Sequence, residues 1–158
     1  MTQPDLDVLA EGNLPAGQQW ILKGGGTRDD FYTFLETIHP DGHRDEGGMG
    51  GRPLYPGSLM NTYTGGSDQG LRRVVVRADP RVARVRVELA SGELLDLPPL
   101  ASRADLGVSF FATLLPRTEG LVSVTAVGAD GQVLELQDLS THEESWQWFL
   151  RRRGDKGL

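Results

Sequence analysis

Apolar and polar residues alternate most sharply between positions 71 and 97, LRRVVVRADPRVARVRVELASGELLDL. Val74 and Val76 share one parity, and Arg73 and Arg77 take the other. Further along, Val85, Val87 and Leu89 alternate with Arg84, Arg86 and Glu88. Successive side chains of a strand point to opposite faces, so the pattern predicts strands with one buried and one wet face. Valine is stiff at χ1 and suits a pleated surface. Asp79-Pro80 separates the first strand from the second, because proline cannot donate to a ladder and biases the preceding residue to extended geometry. Ser91-Gly92 offers a tight turn into a third strand over 93–97.

The same reading extends along the chain. Residues 1–17, punctuated by Pro4, Gly12, Pro15 and Gly17, read as an irregular lead-in. Residues 18–23 and 31–38 (FYTFLETI) form a hairpin, the second strand placing Tyr32, Phe34 and Ile38 on one parity and Thr33 and Thr37 on the other. Residues 39–70 hold nine glycines. Within them, 39–53 reads as a long loop, LYPGSL as its packed return and 59–64 as a further strand. In 107–115 (GVSFFATLL), Val108, Phe110, Ala112 and Leu114 form an inward set while Phe111 has the opposite parity, which predicts cover on both faces. Residues 121–127 and 132–137 form a hairpin across Gly128-Ala129-Asp130-Gly131. At the end, Ser140 and Thr141 stand three residues before Glu143 and Glu144, the capping-box spacing, and Trp146, Phe149 and Leu150 share one helical face. Arg151, Arg152 and Arg153 suit the negative end of that helix, and Gly154 stops it. The expected fold is mostly β: an antiparallel β-sandwich of about seven to nine strands with a long Gly-rich loop and one C-terminal α-helix. The lead-in covers 1–17, the sandwich domain 18–140, and the helix and tail 141–158.

Composition narrows the functions. A chain of 158 residues is long enough to bury one core without staples, and the absence of cysteine removes disulfides and thiolate metal sites. The net charge of −6 is concentrated in residues 1–70, which hold ten Asp/Glu against four Lys/Arg. That acidic half argues against nucleic-acid binding, which needs a basic face to displace phosphate counterions. No run reaches the ~18 apolar residues of a membrane span, and the first residues lack the basic and apolar regions of a signal peptide. A cytoplasmic location is the expectation. Arginine supplies 14 of the 16 basic residues, a bias that codon usage in a GC-rich genome explains before function does.

Between residues 71 and 136, Val74 to Val76, Val85 to Leu89 before Ser91-Gly92, Leu97-Pro98, Gly107 with Phe110-Phe111, Leu115-Pro116, and Val124 to Val127 before Asp130-Gly131 carry a resemblance. The order of these elements resembles the immunoglobulin-like β-sandwich domains of uncharacterised actinobacterial proteins. It implies a fold and a lineage and no catalytic residue, since sandwiches host many unrelated functions.

Candidate sites are few. His39, Asp41, His43 and Asp45 bring two imidazoles and two carboxylates into one short stretch, a donor set suited to a divalent transition metal. Pro40 and Gly42 equally suit a polar hairpin tip. Gly47 to Gly51 lack the order of a phosphate-binding loop, and Ser58 lacks the second glycine of a nucleophile elbow. Arg73, Arg77, Arg84 and Arg86 would form a basic stripe for an anionic partner if their strands were neighbours and their side chains faced water. Trp146, Trp148 and Phe149 beside three arginines have the composition of a binding hot spot. Together these favour a non-catalytic protein-binding or assembly module, self-association included, with no catalytic residue and no cofactor. The alternative is a small-ligand or metal-binding protein, or an enzyme, using the glycine-rich loop over 42–66.

Overall fold

A computed structural model describes residues 5–66 and 71–139. These contain twelve β-strands and no helix, arranged as three antiparallel four-stranded sheets. Strands β1 (Asp7–Asn13), β2 (Gln19–Gly26), β3 (Phe31–Ile38) and β4 (Arg44–Met49) form an N-terminal sheet in chain order. The second sheet has the order β5-β6-β10-β9, from Met60–Gly66, Leu71–Ala78, Val108–Pro116 and Ala101–Arg103. The third has the order β12-β11-β7-β8, from Val133–Asp138, Leu121–Gly128, Val82–Leu89 and Leu94–Leu97. The three strands expected within 71–97 are β6, β7 and β8, and both expected hairpins, β2 with β3 and β11 with β12, are present.

The second sheet is the middle layer. On one side Val74, Val76, Ala78, Phe111, Leu115 and Met60 pack against Val82, Val85, Val87, Leu89, Leu121, Val124 and Ala126 of the third sheet. On the other, Val75, Val108 and Phe110 pack against Leu22, Phe31 and Leu35 of the N-terminal sheet. Each of the valine, leucine, methionine and phenylalanine side chains among them contributes roughly 1.5–3 kcal/mol by leaving water. Phe110 and Phe111 are adjacent in β10 and both fully buried, as strand cover on two sides requires.

This third layer corrects the expectation for two arginines. Arg73 and Arg77 do sit opposite in parity to Val74 and Val76, but that face is covered by the N-terminal sheet, leaving them 1% and 0% exposed. They are no part of a solvent-facing stripe. Two segments expected to be irregular are strands. Residues 7–13 pair with β2, and 44–49 pair with β3 from Thr33↔Met49 to Ile38↔Arg44. In β4 a Cβ on Gly48 would collide with the Thr33 carbonyl oxygen, and one on Gly47 would lie 2.6 Å from the Tyr63 hydroxyl. Glycine is required there by close packing, which is how a strand comes to look like a loop in sequence. In β3 the face against the middle sheet is Phe31, Thr33, Leu35 and Thr37, while Tyr32, Phe34 and Ile38 lie on the outer, half-buried side. The helix expected over 141–153 lies outside the described residues.

The layering makes a quantitative demand on Arg77. Replacing it with Met keeps the volume and strips the hydrogen bonds from several buried acceptors. Arg77→Met should lower unfolding free energy by about 3 kcal/mol or more in urea denaturation. Arg84→Met, on an exposed surface, should stay within about 0.5 kcal/mol.

Candidate functional site

The four candidate arginines fall into two environments. Arg77 Nη1 donates to the Phe31 carbonyl at 2.7 Å and to Thr33 Oγ1 at 3.3 Å, and its Nη2 donates to the Gly50 and Arg52 carbonyls at 3.0 and 2.9 Å. Burial pulls its guanidinium down to about 10, against the opposing charges of Tyr55 and Asp30. It therefore stays charged at neutral pH. Arg73 Nε donates to the Leu35 carbonyl at 2.9 Å, Nη1 donates to the Gly66 carbonyl at 3.3 Å, and Nη2 forms an ion pair with Asp45. Burial lowers its pKa too. Arg73 and Arg77 are fasteners between layers, and neither can meet a partner.

Arg84 and Arg86 stand on the outer face of the third sheet, as expected. The register assembles that face in rows across the strands. One row runs Leu136, Thr125, Arg86, Asp96; a second runs Asp138, Ser123, Glu88, Leu94; a third runs Val133, Val127, Arg84. Arg86 Nε donates to Asp96 Oδ1 at 3.1 Å, so that pair is satisfied within the face. Leu136, Val133 and Leu94 are 59%, 55% and 54% exposed, among the most exposed large hydrophobic residues described. These three lie on the edge strands β12 and β8, whereas Thr125 and Val127 of the central strand β11, in the same rows, are only 7% and 1% exposed. Sequence reasoning missed these three residues. The alternation of 132–137 signalled a strand, but not which parity would be left uncovered.

The histidine stretch forms the β3–β4 turn. His39 Nε2 lies 3.2 Å from Asp45 Oδ2 and His43 Nε2 lies 3.9 Å from the same oxygen, with the two rings stacked at 5.8 Å. Asp45 Oδ1 belongs to Arg73, and Asp41 Oδ1 accepts the His43 backbone N–H at 2.9 Å. Among the described residues no three His, Asp or Glu side chains are arranged to hold a metal ion. The cluster has a structural use: it anchors the turn to the middle sheet through Asp45 and Arg73.

Two cavities are shallow. One of about 310 Å³ lies between the β5 and β12 edges, lined by Thr62, Thr64, Gln137, Asp138 and Leu139. Another of about 220 Å³ is lined by Leu14, Trp20, Leu35, Leu100, Ala112, Thr113 and Leu114. Of the 42–66 stretch, Thr62 and Thr64 line the first cavity, and no residue lines the second. Trp146, Trp148 and Phe149 lie outside the described residues. Among the described residues, no helix is long and apolar enough to cross a membrane. No protein-family model, no curated protein and no solved structure matches the chain.

Asp45 separates the structural from the decorative carboxylates of the turn. Asp45→Asn should cost about 3–5 kcal/mol in equilibrium unfolding, because it leaves the Arg73 charge buried without its counterion. Asp41→Asn, which weakens one exposed turn hydrogen bond, should cost about 1 kcal/mol or less.

Proposed function

We propose that the chain is a non-catalytic protein-binding module on an immunoglobulin-like sandwich, and that it binds through the outer face of the sheet β12-β11-β7-β8. The strand order supports the immunoglobulin-like reading. Lettered from β5 onward as A, B, C, C′, D, E, F and G, the two sheets read ABED and GFCC′. On this reading the N-terminal sheet is an added layer that closes the ABED face.

The observation that carries the binding proposal is the exposure of Leu136 and Val133 on edge strand β12, and of Leu94 on edge strand β8, on the same side of the sheet as exposed Arg84 and half-buried Arg86, with Thr125 and Val127 buried between them. Uncovered apolar side chains beside arginine provide area and specificity together, the composition of an interface centre. Residues 42–66 are largely occupied in building β4, β5 and the packing around Tyr63, and Thr62 and Thr64 line the cavity beside β12. Trp146, Trp148 and Phe149 are proposed as additional aromatic anchors from their composition.

Cross-linking tests the face. A photo-reactive phenylalanine derivative at Leu136 should capture a protein partner in cells, and the same group at exposed Tyr55 should not. Arg84→Glu/Arg86→Glu should abolish the capture. Absence of any cross-link from 136, or capture indifferent to the charge reversal, would refute the proposal.

A further inference from the structure

Strand β10 is flanked on both sides for only part of its length. On one side β9 pairs with it at Val108, Ser109 and Phe110 and stops there. The hydrogen-bond parity shows what the rest of that edge leaves free. The Asp79 N–H donates to the Leu59 carbonyl at 2.9 Å, so Arg73, Val75 and Arg77 bond to β5, while Arg72, Val74, Val76 and Ala78 bond to β10. Their partners there are Leu115, Thr113, Phe111 and Ser109. Phe110, Ala112 and Leu114 therefore turn their N–H and C=O groups to the opposite edge, where the Leu100 N–H reaches the Phe110 carbonyl at 2.8 Å. No strand among the described residues pairs with Ala112 or Leu114 on that side. The chain that would continue the line of β9 is Pro98-Pro99, which has no N–H to donate.

This open edge borders the cavity of about 220 Å³ between the N-terminal and middle sheets. Ala112 and Leu114 pack toward the N-terminal sheet, and Leu14, Trp20, Leu35 and Leu100 help to form an uncharged lining. Directly opposed residues of two strands share a face, so a strand laid along the edge points the side chain opposite Ala112 into the cavity. Ala112 itself contributes only a methyl group there. Main chain and cavity together call for an extended segment with an apolar side chain at that position. The edge is short, roughly 10 Å for three residues. It takes a peptide of about five residues and falls well below the ~800 Å² that each side of a stable folded interface buries. That area excludes a second folded copy as the occupant.

We propose that β10 binds an extended peptide segment of a partner protein by strand addition, antiparallel at Ala112 and Leu114, with one apolar side chain seated in the cavity. Main-chain bonds to two residues and one buried side chain give a weak contact, with a dissociation constant of about 0.1–1 mM for an isolated peptide. The site lies on the side of the middle sheet away from the third sheet, so it stands apart from the face proposed above.

Proton–nitrogen NMR on the full chain tests it, by titration with capped heptapeptides Thr-Lys-Thr-X-Thr-Lys-Thr in which X is valine, leucine or phenylalanine. At least one should shift the Ala112 and Leu114 amides and the Trp20 indole N–H, and at ~5 mM should slow hydrogen exchange of both amides about fivefold or more. Lysine at X should weaken binding about tenfold or more by bringing a charge into the cavity. N-methylation of X should weaken it about as much by removing a donor to β10. Ala112→Phe, which fills the cavity, should also abolish the shifts in a chain that circular dichroism shows folded, and the peptide changes test the same contact with the native protein. Absence of these shifts with all three peptides up to ~5 mM, or lysine at X binding as well as leucine, overturns the proposal. Binding that appears only after deletion of 140–158 makes the chain's own tail the occupant, and equally defeats it. A chain that captures a partner through residue 136 yet ignores all three peptides defeats this site alone.

Discussion

Two guanidinium groups buried between the middle and N-terminal sheets fasten those two layers together. Taking an arginine out of water costs several kcal/mol unless its donors are met. Here Arg77 meets three backbone carbonyls and a threonine hydroxyl, and Arg73 meets two carbonyls and a carboxylate. A guanidinium suits this use because it is planar, weakly hydrated and carries its donors in a fixed fork. The partners come from β3, β4, β5 and the residue 50–52 connection, and of these β4 and the connection contribute little apolar area of their own. The arginines fix the position of chain that hydrophobic burial would leave loosely docked.

That fastening decides which surfaces remain for other work. The middle sheet is covered on both sides, and its arginines are consumed in the covering. The His39–His43 turn and the glycines of β4 are drawn into the same layer contact, the turn through Asp45 and Arg73, the glycines by admitting Tyr63 and the β3 backbone. The third sheet is left with Leu136, Val133 and Leu94 exposed on its edge strands and with Arg84 and Glu88 that have no ion-pair partner among the described residues, while Thr125 and Val127 between them are buried. The proposed role follows from this asymmetry: one outer sheet of the sandwich is spent on stability, the other is available for contact.

Much of the sandwich was legible because valine alternation, Asp79-Pro80, Ser91-Gly92 and the Asp130-Gly131 hairpin are local signals with local causes. The third layer was not, because period-2 alternation reports that two faces differ and not whether the polar one is wet. Arg73 and Arg77 alternate with valine just as Arg84 and Arg86 do, yet a neighbouring sheet that offers backbone carbonyls can receive an arginine as water does. One signal was available. Val75 shares the parity of Arg73 and Arg77, making Val74-Val75-Val76 a continuous apolar run of the kind found in strands covered on both faces. The Phe110-Phe111 doublet made the same statement for β10, the strand with which β6 pairs. The β4 strand stayed hidden because Gly47 and Gly48 answer to close packing, which leaves no hydrophobic period to read.

The central claim is that Arg73 and Arg77 lie sealed between two sheets while Arg84 faces solvent. Arginine-specific dicarbonyl labelling of the native protein, read by peptide mass spectrometry, addresses this directly. The account predicts that Arg84 and exposed Arg81 are modified rapidly, while Arg73 and Arg77 stay unmodified until denaturant unfolds the chain. Labelling of Arg73 and Arg77 at rates comparable to Arg84 in the folded protein would contradict it.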